Sequence, residues 1–147
     1  MAFGSPQWMY SSGSDFTIPY SCRFDDGSSD TLSRAPAGAS NRRTWTFSCW
    51  LKRGNIGAEQ GIFNGKNEND DYHVIKIASS DQIGVHQRVS GSDTREMNSV
   101  AKLRDCSAWY HIVVAFDTTQ GTDTNRTKLW INGVLQSWTG ETFFNEN

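Results

Sequence analysis

Apolar and polar residues alternate one for one along Thr44–Lys52, in the run TWTFSCWLK. A strand sends successive side chains to opposite faces, so a period of two marks a strand with one face against a core. Trp45, Phe47, Cys49 and Leu51 fall on one side; Thr46, Ser48, Trp50 and Lys52 fall on the other. No segment sustains the 3.6-residue period of an amphipathic helix. A single turn near residues 99–103 is the one helical candidate. A helical bundle and an alternating α/β fold are both excluded by this pattern.

The same alternation recurs downstream. Tyr72, Val74 and Lys76 oppose His73, Ile75 and Ile77, and Ile83, Val85, Gln87 and Val89 share one side of the next segment. Ser79-Ser80-Asp81 between them has the length of a hairpin connection. Residues 95–100 read as a weaker strand. WYHIVVAFD at Trp109–Asp117 is β-branched, aromatic and apolar on both faces at its centre. It is therefore expected as a central strand buried between layers. Asn132-Gly133 separates two further strand-like runs, and Asn-Gly is favoured where both turn residues need φ > 0. Residues 21–24 and 31–33 read as short strands flanking a turn at Asp25-Asp26-Gly27. Short strands with a turn every few residues predict an all-β fold, an antiparallel two-sheet jelly-roll sandwich.

A chain of 147 residues suits one domain with a sizeable core. Its apolar fraction of 36% is low, while aromatics reach 12%, so the core must lean on large rings. Trp45, Trp50 and Trp109 sit on the strongest strands and are expected in that core. Trp130 and Trp138 flank the hairpin and are expected to be exposed, which makes them the candidates for stacking on a sugar. Residues 1–20 carry Phe3, Trp8 and Tyr10 on a Ser/Gly-rich stretch without a period. They read as an aromatic arm that docks on a partner, ahead of a sandwich spanning residues 21–147.

The formal net charge of −2 leaves no basic excess for phosphates, so neither nucleic acid nor an anionic membrane is an expected partner. The longest purely apolar run, residues 112–116, is far short of a membrane span. The N-terminus lacks the basic and apolar regions of a secretory leader, so none is expected. Cys22, Cys49 and Cys106 match neither a zinc pattern nor a disulfide framework, and are expected as free thiols made in a reducing cytosol.

Catalytic patterns are weak. The nearest approach to paired carboxylates is Glu68-Asn69-Asp70-Asp71-Tyr72-His73, which reads as a solvated turn before a strand. His73, His86 and His111 lack ligand spacing to one another or to a cysteine, and His111 reads as a hydrogen-bonded strand residue. No cofactor is expected. Calcium is the one metal that loop oxygens at Asp70, Asp71, Asp81, Asp93, Asp117 and Asp123 could take, although they form no EF-hand loop.

Three pieces in order carry a resemblance: RTWTFSCWLKRGN at residues 43–55, AWYHIVVAFD at 108–117 and KLWINGVL at 128–135. Together they resemble the laminin-G/concanavalin A-like fold. The resemblance implies a binding or structural module and no enzyme. Members of that fold class that are glycosidases use an E-x-D-x-x-E strand, which is broken here. A narrower similarity, from MAFGSPQWMY through SCRFDDGSSDTLSRAPAGASNRRTWTFSCWLKRGN to WYHIVVAFDTTQGTDTNRTKLWINGV, is to virion proteins of tailed bacteriophages. It implies the N-terminal part of a tail fibre or a related tail or capsid-surface component, made in the host cytoplasm and resident in the virion. Its partners would then be other virion proteins, with a homotrimer by analogy to fibres. The alternative is a carbohydrate-binding module for host surface glycans. Domains of this class usually continue past the Asn-Gly hairpin with more strands. Here the sandwich is expected to be incomplete at its C-terminus, with an open edge and exposed core, to be completed by more chain or by a neighbour.

Overall fold

The computed structural model describes residues 19–66, 71–89, 92–140 and 144. The chain divides into two compact units, Met1–Ala37 and Gly38–Asn147. In the described part of the first unit the anticipated short strands are absent. Asp25 instead caps a 3-10 turn, Asp26–Ser28, by accepting from the Gly27 amide at 3.1 Å. Its own amide donates to Asp30 Oδ2 at 3.0 Å, so side chains satisfy the backbone that strand pairing would have used.

The described residues of the second unit are all-β, with nine strands: β1 (Thr44–Lys52), β2 (Gln60–Lys66), β3 (Tyr72–Ile77), β4 (Gln82–Val89), β5 (Ser92–Lys102), β6 (Trp109–Asp117), β7 (Thr127–Ile131), β8 (Val134–Leu135) and β9 (Trp138–Thr139). They form two antiparallel sheets, ordered β1-β6-β7-β8 and β2-β3-β4-β5-β9. The anticipated helical turn near residue 100 is not formed. β5 runs on to Lys102, and the Val100 amide donates to Ser137 O at 3.0 Å.

The core lies between the sheets, as alternation dictates. Ile75, Ile77, Ile83, Val85 and Met97 come from the five-stranded sheet; Ile112, Val114, Phe116, Leu129 and Ile131 come from the four-stranded one. Rings fill the remaining space, with Trp45 stacked on Phe116 at 4.0 Å between centroids. β6 is central in its sheet, but it is buried on one face only. Ile112, Val114 and Phe116 point inward, while Trp109, His111, Val113 and Ala115 point out. Among the described residues there are two sheets and no third layer on that outer face, so the apolar centre of WYHIVVAFD overstated its burial.

The core is closed beyond the hairpin by a residue with no strand periodicity. Phe144 is 2% exposed, packs edge-on against Phe116 at 5.5 Å and stacks on His73 at 5.6 Å. Arg126 Nη1 holds the Phe144 carbonyl at 2.9 Å. Phe144 thereby covers part of the core at this end of the described chain; residues 141–143 and 145–147 lie outside the described residues.

The turns follow their residue chemistry. Asn132 and Gly133 have φ of 50° and 79°, as a two-residue hairpin of the primed type requires. In the β3–β4 hairpin the Asp81 amide donates to Ala78 O at 2.8 Å, and Asp81 itself takes a left-handed φ of 70°. That corner aims its carboxylate inward. Oδ1 accepts from Arg53 Nη1 at 2.6 Å and the Gly57 amide at 2.9 Å, and Oδ2 accepts from Arg104 Nε at 3.1 Å. Arg53 also donates to Leu103 O at 2.7 Å, so one buried cluster ties the segment after β1 to the β3–β4 turn and the end of β5.

Candidate binding face

The outward-facing side of the four-stranded sheet gathers large rings into one surface. On β1 the outward residues are Thr46, Ser48, Trp50 and Lys52, because Trp45, Phe47, Cys49 and Leu51 are taken by the core. Register places Trp50 opposite His111, Lys52 opposite Trp109 and Ser48 opposite Val113. On the far side Val113 faces Trp130, and Trp130 faces Leu135. Trp50 is 54% exposed, Trp109 52% and Leu135 57%.

The geometry at the centre is ordered. The Trp50 and His111 rings stack at 4.9 Å with 19° between planes. His111 Nε2 lies 3.1 Å from Ser48 Oγ. The His111 amide donates to Asn132 Oδ1 at 2.8 Å and its carbonyl accepts from the Asn132 amide at 2.8 Å, which ties the hairpin corner to the ring cluster. Trp50 therefore presents one flat, fixed ring face to solvent with polar groups at its margin. A shallow hollow lined by Ala115, Phe116, Asp117, Gln120, Asn125 and Lys128 lies toward the β6–β7 loop.

The ring assignments made from sequence change here. Trp50 and Trp109, expected in the core, are on the surface. Alternation had already set Trp50 beside Thr46, Ser48 and Lys52, and a side chain cannot leave its face without a shift of the whole strand. Trp130 lies on this outer face but is half-covered by its neighbours. Trp138, expected to be exposed, turns inward: it packs against the core, and its Nε1 donates to Thr127 O at 3.1 Å. Its pairing with Ser99 in β5 sets this direction. Phe3, Trp8 and Tyr10 lie outside the described residues, as do Glu68, Asn69 and Asp70.

The family model of the concanavalin A-like lectin/glucanases superfamily matches residues 26–143, well over half of the chain. The chain belongs to that superfamily. No curated protein matched it, and no solved structure did.

Within this concanavalin A-like domain, Asp81, Asp105 and Asp117 are held as anions below the usual carboxylate range. Hydrogen bonds from the Gly57 amide and the Arg53 side chain hold Asp81 down to about 2. Ser107 lowers Asp105, and Thr119 with Gln120 lowers Asp117. A general acid needs the opposite displacement, upward toward neutrality. Burial pushes His73 below the usual imidazole range and Cys49 above the usual thiol range. Among the described residues no group of three or more His, Cys, Asp or Glu side chains could hold a metal ion. Asp81 is occupied by Arg53 and Arg104, and Asp117 by its own loop, so neither is offered to calcium. No helix among the described residues is long and apolar enough to cross a membrane.

Proposed function

We propose that this concanavalin A-like domain is a non-catalytic binding module of a tailed-bacteriophage virion, an assembly adaptor in a tail fibre or related surface component. Its working surface is the outer face of the four-stranded sheet. The virion context rests on the similarity of residues 1–10, 21–55 and 109–134 to phage virion proteins. The exposed face formed by Trp50, Trp109, Val113, Trp130 and Leu135 carries the reading of a contact surface. Large rings beside exposed aliphatic residues, with charge at the margin of the face on Lys52, Asp117 and Lys128, match the anchor chemistry of protein interfaces. Contiguous apolar surface of this kind is uncommon on a monomer without a partner.

A second reading has one observation in its favour. Ser48, His111 and Asn132 place hydrogen-bonding groups at the edge of the open Trp50 ring, and a pyranose face could stack there. One pair of variants separates the readings. Trp50→Ala combined with Trp109→Ala should fold, yet fail to enter particles when it replaces the wild-type protein. Deletion of residues 1–12 should also prevent incorporation if the arm docks. Normal incorporation of the double variant, with lost binding on a glycan array, would favour host glycans over assembly.

A further inference from the structure

Phe144 belongs to no strand, yet it is among the buried core residues. It is held by ring contacts with His73 and Phe116, and by the hydrogen bond from Arg126 Nη1 to its carbonyl. The same guanidinium donates to Gln120 O at 2.7 Å and Gly121 O at 3.0 Å, which fastens Phe144 to the β6–β7 loop.

The ring that Phe144 covers is titratable. His73 shares the inward face of β3 with Ile75 and Ile77, and beside it in the same row stand Gln87 of β4 and then Arg95 of β5. Gln87 Nε2 lies 3.0 Å from His73 Nε2. A side-chain amide nitrogen only donates, so Nε2 accepts and the neutral ring carries its proton on Nδ1. That nitrogen is buried, with no hydrogen-bond partner among the described residues. An imidazolium carries protons on both nitrogens, so Nε2 would lose its bond from Gln87. Turning the Gln87 amide over would restore that bond, but Nδ1–H would still lack an acceptor. Among the described residues the charged groups facing this end of the interior are cations, Arg95 in the same row and Arg126 at the Phe144 carbonyl. Gly65 of β2, Phe116 of β6 and Thr127 of β7 carry no charge, and Lys66 and Arg88 lie opposite Tyr72 on the other face of the sheet. Asp71, just ahead of β3, is the nearest carboxylate along the chain, and burial still holds the imidazole below its usual range.

We propose that Phe144 is an acid-released strap: protonation of His73 expels it and opens this end of the sandwich while the strands stay paired. β3 is hydrogen-bonded on both sides, to β2 and to β4, so the strand cannot easily carry His73 out to water. Withdrawal of Phe144 is the smaller motion, and local openings of this kind cost less than global unfolding. The uncovered ring protonates at its ordinary value of 6.5 and the covered ring only below it. The open form therefore gains on the closed one as pH falls below that value, by at most about tenfold per pH unit for a single proton. What opens is a mouth with Phe116 and Thr127 on one wall and His73, Gln87 and Arg95 on the other. The strap is a property of the isolated chain and is independent of the virion reading.

Solution NMR of the isotope-labelled full chain, from about pH 7.5 down to about pH 5, tests it. The nuclear Overhauser contact between the His73 and Phe144 rings should fade with acid, while the one between Val114 and Leu129, opposed in the core, should persist. Phe144→Ala should raise the His73 midpoint to the ordinary 6.5. In His73→Gln, which does not titrate, the contact between Phe144 and Phe116 should be the same at both ends of the range. Loss of the His73–Phe144 and Val114–Leu129 contacts together would overturn the proposal, because the whole sandwich would then be opening. So would a Phe144–Phe116 contact as acid-sensitive in His73→Gln as in the wild type, or a His73 midpoint unmoved by Phe144→Ala. The first comparison uses the wild-type chain, so it decides even where a variant does not fold.

Discussion

Asp81 shows how much one side chain can be asked to do. It takes the left-handed corner of a three-residue hairpin, where asparagine or glycine is commoner, and in return its carboxylate reaches two arginines and a backbone amide. The pH dependence follows from the direction of its shift. The folded group titrates at about 2 and the unfolded one near 3.8, so the unfolded chain binds the extra proton between those values. Stability present above about pH 4 is therefore lost as pH falls toward 2. His73 adds a milder window higher up. Its lowered value means that the unfolded chain protonates first as pH drops below 6.5, which again favours unfolding in acid. Urea titrations at a series of pH values should show both windows. Asp81→Asn should be less stable at pH 7 and flatter between pH 4 and 2; an unchanged acid slope would contradict the role given to this cluster. Period two placed Trp50 outward, yet size argued for the core. At this scale the periodicity was the better guide, because facing is fixed by the strand and not by the residue.

At the level of elements, legibility tracked locality. β1, β3, β4, β6 and the β7–β8 hairpin were readable because their signals are contained within a few residues: alternation, or the Asn-Gly pair. β9 was not, since its two residues are strand only by virtue of pairing with Asn98 and Ser99, some forty positions earlier. The same distance hid the inward turn of Trp138 and the burial of Phe144. The stretch 21–33 failed in the other direction: a plausible strand pattern lost to the Asp25 cap and its local hydrogen bonds. The hairpin gives the clearest local test. Gly133 has φ of 79°, and a Cβ there meets no atom within 4 Å, so Gly133→Ala isolates backbone strain from crowding. It should lower the unfolding free energy by about 1 kcal/mol, read as a shift in urea midpoint at constant slope. An unshifted midpoint would mean that the corner does not hold its left-handed form in solution.

For the whole molecule, the sandwich and its superfamily could be read from three ordered strand motifs, while the candidate face could not be read as a unit. Trp50, Trp109, His111, Trp130 and Leu135 come from four strands, and only sheet order brings them together. The signal that was available, Trp50 on the polar side of an alternating strand, becomes meaningful once β6 is known to lie beside it. In the proposed reading this face, and not a pocket or a metal, makes the functional contact. Hydroxyl-radical footprinting of the chain, free and within assembled particles, tests it most directly. Trp109, one strand in from the β1 edge, and Trp50 should lose reactivity on assembly, while the already packed Trp45 and Trp138 should not change. Equal reactivity of Trp50 and Trp109 in both states would contradict it.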